Sequence, residues 1–247
     1  MSSSAAPPRS RAGVFVTGTG TEIGKTVVAA VIARDAARRG LDVAVFKPAV
    51  SGLHDHEGED AVPDHELLRI AAGSAQPDDE IAPYRYGPPV SPHLGAELTG
   101  EPIDPAALRR GAAAAGSGRY LVCEGVGGFL VPLTLGELDE RHMSRKMIGP
   151  PGKGSYLVRD FARDLGLPVV VAATPALGTI NHTLLTVEAV RAVGLEAAAV
   201  VLTPWPDAPG DVERSNRVAI ERLAGVRVLE LPWLDLSEPE SWPELEI

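Results

Sequence analysis

The segment Gly13–Ala33, GVFVTGTGTEIGKTVVAAVIA, most constrains what this chain can fold into. An apolar run leads into a turn rich in Gly and Thr, and Gly24-Lys25-Thr26 then opens a long stretch rich in Ala and Val. Backbone N–H groups of such a turn, together with the positive N-terminus of the following helix, form a concave site for anions. The segment therefore predicts a strand, a phosphate-binding loop and a helix, in that order.

The phosphate loop also assigns chemistry to individual residues. In loops of this kind the Lys reaches the β- and γ-phosphates of the nucleotide, and the next hydroxyl ligates Mg²⁺. Lys25 and Thr26 occupy those two positions. Five residues, rather than the usual four, separate Gly18 from Gly24, and Gly20 lies too close to take the place of Gly18. We therefore expect a loop slightly larger than in most P-loop enzymes.

Apolar runs of strand length alternate with helix-length segments along the rest of the chain. Such nearly continuous apolar runs suit strands that are buried on both faces. The predicted strands are Gly13–Gly18, Val43–Phe46, Tyr120–Cys123, Val169–Ala173 and Ala197–Leu202. The predicted helices are Lys25–Arg39, Asp64–Ala72, Pro105–Ala115, Ile180–Val193 and Val212–Leu223. The alternation predicts an α/β fold of the P-loop NTPase type, doubly wound, with a mostly parallel sheet and helices on both faces.

A chain of 247 residues with this pattern is expected to form one α/β domain. We expect a disordered tail at 1–12, a single domain at 13–234 and a loosely held acidic extension at 235–247. Within the domain, Leu135–Ser155 is longer than most connections and ends in Gly-Pro-Pro-Gly-Lys-Gly, so it is interpreted as an inserted loop. A lid or dimer-edge arm and a tolerated surface insertion are both compatible with it.

Composition narrows the possible partners. The chain has 23 Lys+Arg against 33 Asp+Glu, a net charge of −10, which argues against a nucleic-acid surface. It has no apolar run long enough to span a membrane, and residues 1–12 do not resemble a signal peptide. The single Cys123 excludes an intramolecular disulfide. We therefore expect a cytoplasmic protein with no nucleic-acid or membrane partner.

Six segments together point to a known family. The loop TGTGTEIGKT at Thr17–Thr26 resembles the enlarged phosphate loop of the dethiobiotin synthetases. The remaining segments match that family in order: FKPAVSG at Phe46–Gly52, VSPHLGAE at Val90–Glu97, VCEGVGGFLVPL at Val122–Leu133, LGTINHTLLT at Leu177–Thr186 and PWL at Pro232–Leu234. The resemblance covers roughly Gly13 to Leu234. Several motifs in one order are more specific than a phosphate loop alone.

The resemblance implies an ATP- and Mg²⁺-dependent enzyme of biotin synthesis that converts 7,8-diaminononanoate, CO₂ and ATP into dethiobiotin, ADP and phosphate. A carbamate would attack the γ-phosphoryl group, and ring closure would expel phosphate from a carbamic–phosphoric anhydride. Lys25 and Lys47 would be catalytic, because phosphoryl transfer depends mainly on positioning and charge stabilisation. Lys47 follows the second strand, at the sheet edge where ligands of α/β proteins bind.

The resemblance also implies three sets of site residues. The nucleotide set is Thr21, Glu22, Ile23, Gly24, Lys25, Thr26, Glu124, Gly127, Gly128, Thr203 and Pro204. The substrate set is Thr21, Lys47, Ser51, Ser91, Pro92, Gly178, Thr179, Ile180 and Asn181. The metal ligands are Thr26, Glu124 and an Asp after Lys47. Asp64 fits that Asp best, because it opens a predicted helix, and Asp60 is the competitor.

Two further expectations concern the far ends of the ligands. N–H groups at the helix start near Gly178 would bind the substrate carboxylate. The resemblance implies that they come from the partner subunit of a homodimer; alternatively, Asn181 only caps its own helix. In addition, Leu202 aligns with a family Asn that hydrogen-bonds adenine. Because Leu has no polar side-chain atoms, we expect other nucleoside triphosphates to be accepted as well.

Two other classes share the phosphate loop. A different amide- or carbamate-forming ATPase would share Gly18–Thr26 but need not carry Lys47 together with Ser91-Pro92-His93. A switch ATPase of the partitioning kind usually has a second Lys near the start of its loop, and Thr17–Gly20 contains none.

Overall fold

A computed structural model describes residues 12–53, 62–136 and 154–247. The strands are β1 (Gly13–Gly18), β2 (Val43–Phe46), β3 (Tyr120–Glu124), β4 (Pro132–Thr134), β5 (Tyr156–Leu157), β6 (Val169–Ala173), β7 (Ala197–Trp205) and β8 (Arg227–Pro232). The helices are α1 (Lys25–Arg38), α2 (Asp64–Ala71), α3 (Asp78–Ile81), α4 (Pro92–Thr99), α5 (Pro105–Ala115), α6 (Val158–Leu165), α7 (Thr179–Ala192) and α8 (Asp211–Ala224). A short 3₁₀ turn follows at Pro239–Ser241.

Six strands form the central sheet in the order β2-β3-β1-β6-β7-β8, and every neighbouring pair in it is parallel. β1 therefore lies in the middle, between β3 and β6. Because parallel strands end at the same edge, the phosphate loop after β1 lies beside Lys47 after β2 and Glu124 at the end of β3. The predicted parallel sheet is confirmed.

Helices cover both faces of the sheet, as predicted. Side chains alternate along β1, so that Val14 and Val16 face one core and Phe15 faces the other. The first core is closed by α1 and α2, and the second by α5, α6, α7 and α8. In the described parts of the chain, no helix is both long and apolar enough to cross a bilayer.

The strands β4, β5 and β8 and the helices α3, α4 and α6 were not predicted. In β8 the sequence RVLELP mixes polar and apolar residues, with Arg227 and Glu230 exposed and Val228 and Leu231 buried, because an edge strand has less cover than a central one. A search for continuous apolar runs therefore misses it. Helix α6 (Val158–Leu165) follows the end of the proposed insertion at Ser155, in a stretch for which no element was predicted.

The two ends of the proposed insertion lie side by side. β4 and β5 form an antiparallel pair that joins Pro132 to Leu157 and Thr134 to Tyr156. The backbone N–H of Gly136 donates to Ser155 Oγ at 2.9 Å. Most of Leu135–Ser155 lies outside the described residues, as do the tail 1–11 and the competing ligand Asp60.

The acidic C-terminal segment at 235–247 is packed on the domain, and the expectation of a loosely held extension is wrong in this respect. Trp242 and Leu245 are 3% and 5% exposed and join the core beneath α1. The segment wraps around Arg34 and Asp35, two buried charged residues of α1 that need polar partners. The local sequence gives no sign of this anchoring, because the bonded partners lie 208 and 210 residues away in the sequence.

Candidate active site

The phosphate loop curls back over the start of α1. Lys25 Nζ donates to the backbone carbonyl of Gly20 at 2.7 Å, so its ammonium lies over the loop. No side chain caps the helix at Gly24, which leaves the first N–H groups available to an anion. Gly24 has φ 82°, and a Cβ there would lie 2.7 Å from the Thr203 side chain. This position therefore requires glycine, and the loop closes against the end of β7.

Four side chains from four parts of the chain meet beside this loop. Lys47 Nζ lies 2.5 Å from Asp64 Oδ2 and 2.6 Å from Glu124 Oε1. Thr26 Oγ1 donates to the same Glu124 oxygen at 2.9 Å. The Lys47 side chain is 4% exposed and that of Glu124 is fully buried, whereas Asp64 is 38% exposed. The cluster is thus buried at Glu124 and open to solvent at Asp64.

Burial and charge act in opposite directions on these groups. Burial favours a lower pKa for Lys47, but the charges of Glu124 and Asp64 outweigh it and raise the pKa above its ordinary value. Burial raises the pKa of Glu124, and Lys47 opposes that rise. At Lys25 burial dominates and lowers the pKa. Lys47 therefore carries a positive charge, whereas the charged form of Lys25 is the one that an arriving phosphate would stabilise more.

The residues expected to bind the metal fit a hard divalent cation. Glu124 Oε2 is buried and has no hydrogen-bond partner, so one carboxylate oxygen is available to a ligand. Thr26 and Asp64 add a hydroxyl and a second carboxylate, which are the donor types that Mg²⁺ prefers. Within the described residues no group of three His, Cys, Asp or Glu side chains could hold a metal, so an ion here would rely on mixed oxygen donors.

The glycine-rich turn after β3 lies against the phosphate loop. A Cβ on Gly128 would lie 3.7 Å from the carbonyl oxygen of Gly18 and 4.0 Å from Gly20 Cα. Gly127 has φ 61°, in the left-handed region that favours glycine. Cys123, just before Glu124, is buried and free, and burial raises its pKa well above the ordinary value. The cysteine is therefore core rather than nucleophile, and the turn beyond it forms a second wall of the cleft.

The comparisons with known proteins agree with this geometry. Residues 12–149 and 146–241 match the protein family described as AAA domain. The chain is 40% identical over 219 residues to the ATP-dependent dethiobiotin synthetase of Mycobacterium avium, covering 87% of this chain and 85% of that protein. It is 39% identical to the enzyme of the same name from Anaeromyxobacter dehalogenans (strain 2CP-1 / ATCC BAA-258), over 90% of each chain. It is 33% identical to that of Bacillus subtilis (strain 168), over 88% and 85%.

The chain belongs to the dethiobiotin synthetase family. In this structure the phosphate loop, Lys47, Glu124 and the glycine turn of the family segments lie together in one cleft. The structure also shows how the family segment at Phe46–Gly52 is held in place. Val50 N–H donates to the carbonyl of Tyr84 at 2.9 Å, and Gly52 N–H donates to that of Pro88 at 3.0 Å. This pairing brings the segment that carries Ser51 next to the one that leads to Ser91 and Pro92 at the start of α4.

The family segment at the start of α7 is not joined to the lysine cluster by any described contact within this chain. Gly178 precedes the helix with φ 92° and no side-chain cap, so Asn181 does not cap its own helix here. Thr179 is buried and lies 3.3 Å from Thr183 Oγ1. Helix α7 does line a cavity of about 440 Å³ with the phosphate loop, through His182 and its neighbours.

Leu202, which the sequence aligns with a family Asn that hydrogen-bonds adenine, is fully buried in the core beneath α7 and α8. Thr203 and Pro204 come next and lie at the carboxyl end of β7. Trp233, which received no role from the sequence, is 76% exposed and follows Pro232 at the end of neighbouring β8. Trp233 could have been singled out from the sequence, because it is the central residue of the family segment PWL.

Proposed function

We propose that this protein is an ATP-dependent dethiobiotin synthase, which forms dethiobiotin from 7,8-diaminononanoate and CO₂ in biotin synthesis. Beyond family membership, the observation that carries the proposal is the meeting of Lys25 and Lys47 at one cleft. A phosphate loop alone would serve any ATPase, whereas a second buried lysine supplies charge for an anionic substrate and for the transferring phosphoryl group.

The chemistry requires positioning rather than a protein nucleophile. One substrate amine captures CO₂ as a carbamate and releases a proton. A carbamate oxygen then attacks the γ-phosphorus, and the bond to ADP breaks. The second amine attacks the carbonyl carbon of the resulting anhydride, phosphate leaves, and loss of a proton completes the cyclic urea. Lys25 neutralises the β- and γ-phosphates, and Lys47 neutralises the carbamate and the transferring group.

The nucleotide site comprises the phosphate loop, the glycine turn and the ends of β7 and β8. Backbone N–H groups of Thr21, Glu22, Ile23 and Gly24 would hold the phosphates, together with Lys25. Thr26, Asp64 and Glu124 would hold Mg²⁺, which neutralises phosphate charge when bound. The base would lie near Thr203 and Pro204, beside Gly127 and Gly128, with the exposed ring of Trp233 as a stacking surface.

The diamine would lie between the lysines and the wall formed by Ser51, Ser91 and Pro92. We propose a homodimer in which the start of α7 from the partner subunit binds the substrate carboxylate through Gly178, Thr179, Ile180 and Asn181. The exposed side chain of Leu177, at 91%, and that of Leu185, at 56%, support an interface here. The unpaired thiol of Cys123 is compatible with a cytoplasmic location.

The decisive assay measures phosphate release and dethiobiotin together. We expect phosphate release from ATP only when diaminononanoate, bicarbonate and Mg²⁺ are all present, and chelation of the metal with EDTA should abolish it. Equal ATPase activity without the diamine would contradict the proposal and favour a switch ATPase. Coupled turnover that yields a different amide would favour another member of this branch.

The shared site has its own test by subunit mixing. Lys25→Ala disables the phosphate half, and Gly178→Asp places a negative charge where the substrate carboxylate would bind. Each variant alone should be inactive, and mixed dimers should regain activity, because each contains one intact site. If confirmed mixed dimers regain nothing, each subunit works alone.

A further inference from the structure

Lys47 occupies the space between residues expected to bind the metal. Its Nζ atom lies 2.5 Å from Asp64 Oδ2 and 2.6 Å from Glu124 Oε1. Thr26 Oγ1 donates to that same Glu124 oxygen at 2.9 Å. One ammonium group thus contacts two of the three proposed metal ligands, and the third ligand is hydrogen-bonded to the same carboxylate.

Burial makes this arrangement energetically significant. The Glu124 side chain is fully buried, and a buried carboxylate without a cation would be strongly destabilising. Within the described part of the chain, the ion pair of Glu124 is made with Lys47. Lys25, the other lysine of the cleft, donates to the Gly20 carbonyl instead. Lys47 therefore contacts the buried carboxylate directly, whereas Lys25 acts on it only from a distance.

We infer that Lys47 acts as a stand-in cation that keeps the metal ligands closed until the nucleotide arrives. This inference rests on the proposed function, in which Thr26, Asp64 and Glu124 hold the metal. A divalent ion and the Lys47 ammonium compete for the same oxygens, and positive charges a few ångströms apart repel strongly in a partly buried site. Among the described residues, the carboxylates paired with Lys47 are those of Glu124 and Asp64, so a metal ion entering alone must displace Lys47 from these anionic partners.

A nucleotide removes that obstacle. Its phosphates give Lys47 new negative partners, and they give the metal additional oxygen ligands. Metal loading and the release of Lys47 toward the phosphates are therefore one coupled event. The enzyme binds metal with the nucleotide rather than before it, and Lys47 becomes available for the substrate only when ATP and metal are both present.

The test measures Mn²⁺ binding by electron paramagnetic resonance, without nucleotide, at pH 8. Lys47→Met removes the stand-in charge and should bind Mn²⁺ about tenfold or more tightly than the wild type. Lys25→Met is the matched control, since it removes one positive charge from the same cleft without touching the carboxylates. It should change the affinity by about threefold or less. Lys47→Gln replaces Lys47→Met if circular dichroism shows that the latter does not fold.

Each result decides the inference. A gain specific to the Lys47 variants supports it. Equal gains in the Lys25 and Lys47 variants would overturn it, because general electrostatics would then suffice, and no gain in either would overturn it too. A second titration uses the wild type with a non-hydrolysable ATP analogue. If the protein retains no more Mn²⁺ than the analogue alone, the metal site of the proposed function fails. If it does retain more but Lys47→Met shows no gain, only the stand-in role fails.

Discussion

Two buried charged clusters lie at opposite ends of α1, and they differ in what completes them. At the start of the helix, Lys47 pairs with Glu124 and Asp64, and one buried oxygen of Glu124 has no partner. Farther along the helix, Arg34 pairs with Asp35 at 2.7 Å, and backbone groups of the chain's own C-terminal segment surround them. The first cluster is left incomplete toward a cleft and suits a ligand. The second cluster also contains a buried atom with no hydrogen-bond partner, Arg34 Nε, but the chain's own C-terminal segment encloses it, so it suits stability.

The C-terminal segment contributes three carbonyls and one N–H to the second cluster. Arg34 donates to the carbonyls of Pro239, Trp242 and Pro243 at 2.7–2.9 Å, and Leu245 N–H donates to Asp35 at 2.6 Å. Because these partners belong to the same chain, they are in place without any bound ligand.

The largest expected effect is on stability, at Arg34. Arg34→Ala leaves Asp35 and three carbonyls without their partner and should lower the free energy of unfolding by about 3–5 kcal/mol. Urea denaturation followed by circular dichroism measures this. Arg38→Ala is the control, because Arg38 pairs with Glu240 on the exposed surface and should change stability little. If both variants lose the same free energy of unfolding, the buried cluster contributes no more to stability than an exposed ion pair does.

The second effect is on turnover, at the other end of the helix. Lys25→Ala and Lys47→Ala should each reduce turnover about a hundredfold or more, a loss of about 3 kcal/mol of transition-state stabilisation. Arg34→Ala, assayed where it remains folded, should retain turnover. A Lys47→Ala variant with near-normal turnover would remove Lys47 from the active site.

Lys25 differs from Arg34 in its expected contribution to stability. Because burial lowers its pKa, the folded state holds the charged form of Lys25 at a cost. Lys25→Met should therefore keep the free energy of unfolding unchanged or raise it by about 1 kcal/mol, while activity is lost. Denaturation at pH 7 tests this, and a clear loss of stability would show that Lys25 is structural as well.

Two tryptophans repeat the contrast on a smaller scale. Trp233 is 76% exposed at the nucleotide edge, whereas Trp242 is 3% exposed beneath α1. Trp233→Ala should raise the KM for ATP about tenfold and leave stability unchanged, because stacking on a base is worth about 1–3 kcal/mol. Trp242→Ala should destabilise the fold and leave that KM unchanged. Steady-state kinetics and urea denaturation separate the two, and a reversal would be inconsistent with both roles.

The smallest expected effect concerns nucleotide choice. A ring that stacks on the base tolerates every base, and Leu202 contributes no polar atom to select one. CTP and GTP should therefore support turnover within about tenfold of ATP. Strict use of ATP would show that backbone groups near Thr203 read the base.

Local sequence was sufficient for most of the framework. The strand, loop and helix around Lys25 follow from a local pattern. Apolar residues bury the strand and the helix, glycines permit the tight turn, and the lysine provides positive charge for a phosphate. The central strands were recognisable because burial on both faces demands continuous apolar runs. Edge strand β8 was missed because partial cover permits Arg227 and Glu230 on it.

The site was only partly predictable. Lys25, Lys47, Thr26 and Glu124 were named from motifs, and the structure brings all four together with Asp64. The exposure of Trp233 was not foreseen. It depends on which strand ends are neighbours, and strand order is a property of the sheet, not of any local segment.

The residue types and their local order already provide the chemical groups of the site: a phosphate loop, two lysines and carboxylates at strand ends. How those groups are paired depends on the tertiary structure. Lys47 and Glu124 are 77 residues apart and meet because β2 and β3 are parallel neighbours. Arg34 and Trp242 are 208 residues apart and meet because the C-terminal segment returns beneath α1. Buried charges must find partners within a few ångströms, and proximity of that kind is fixed by the packing of distant segments rather than by local sequence.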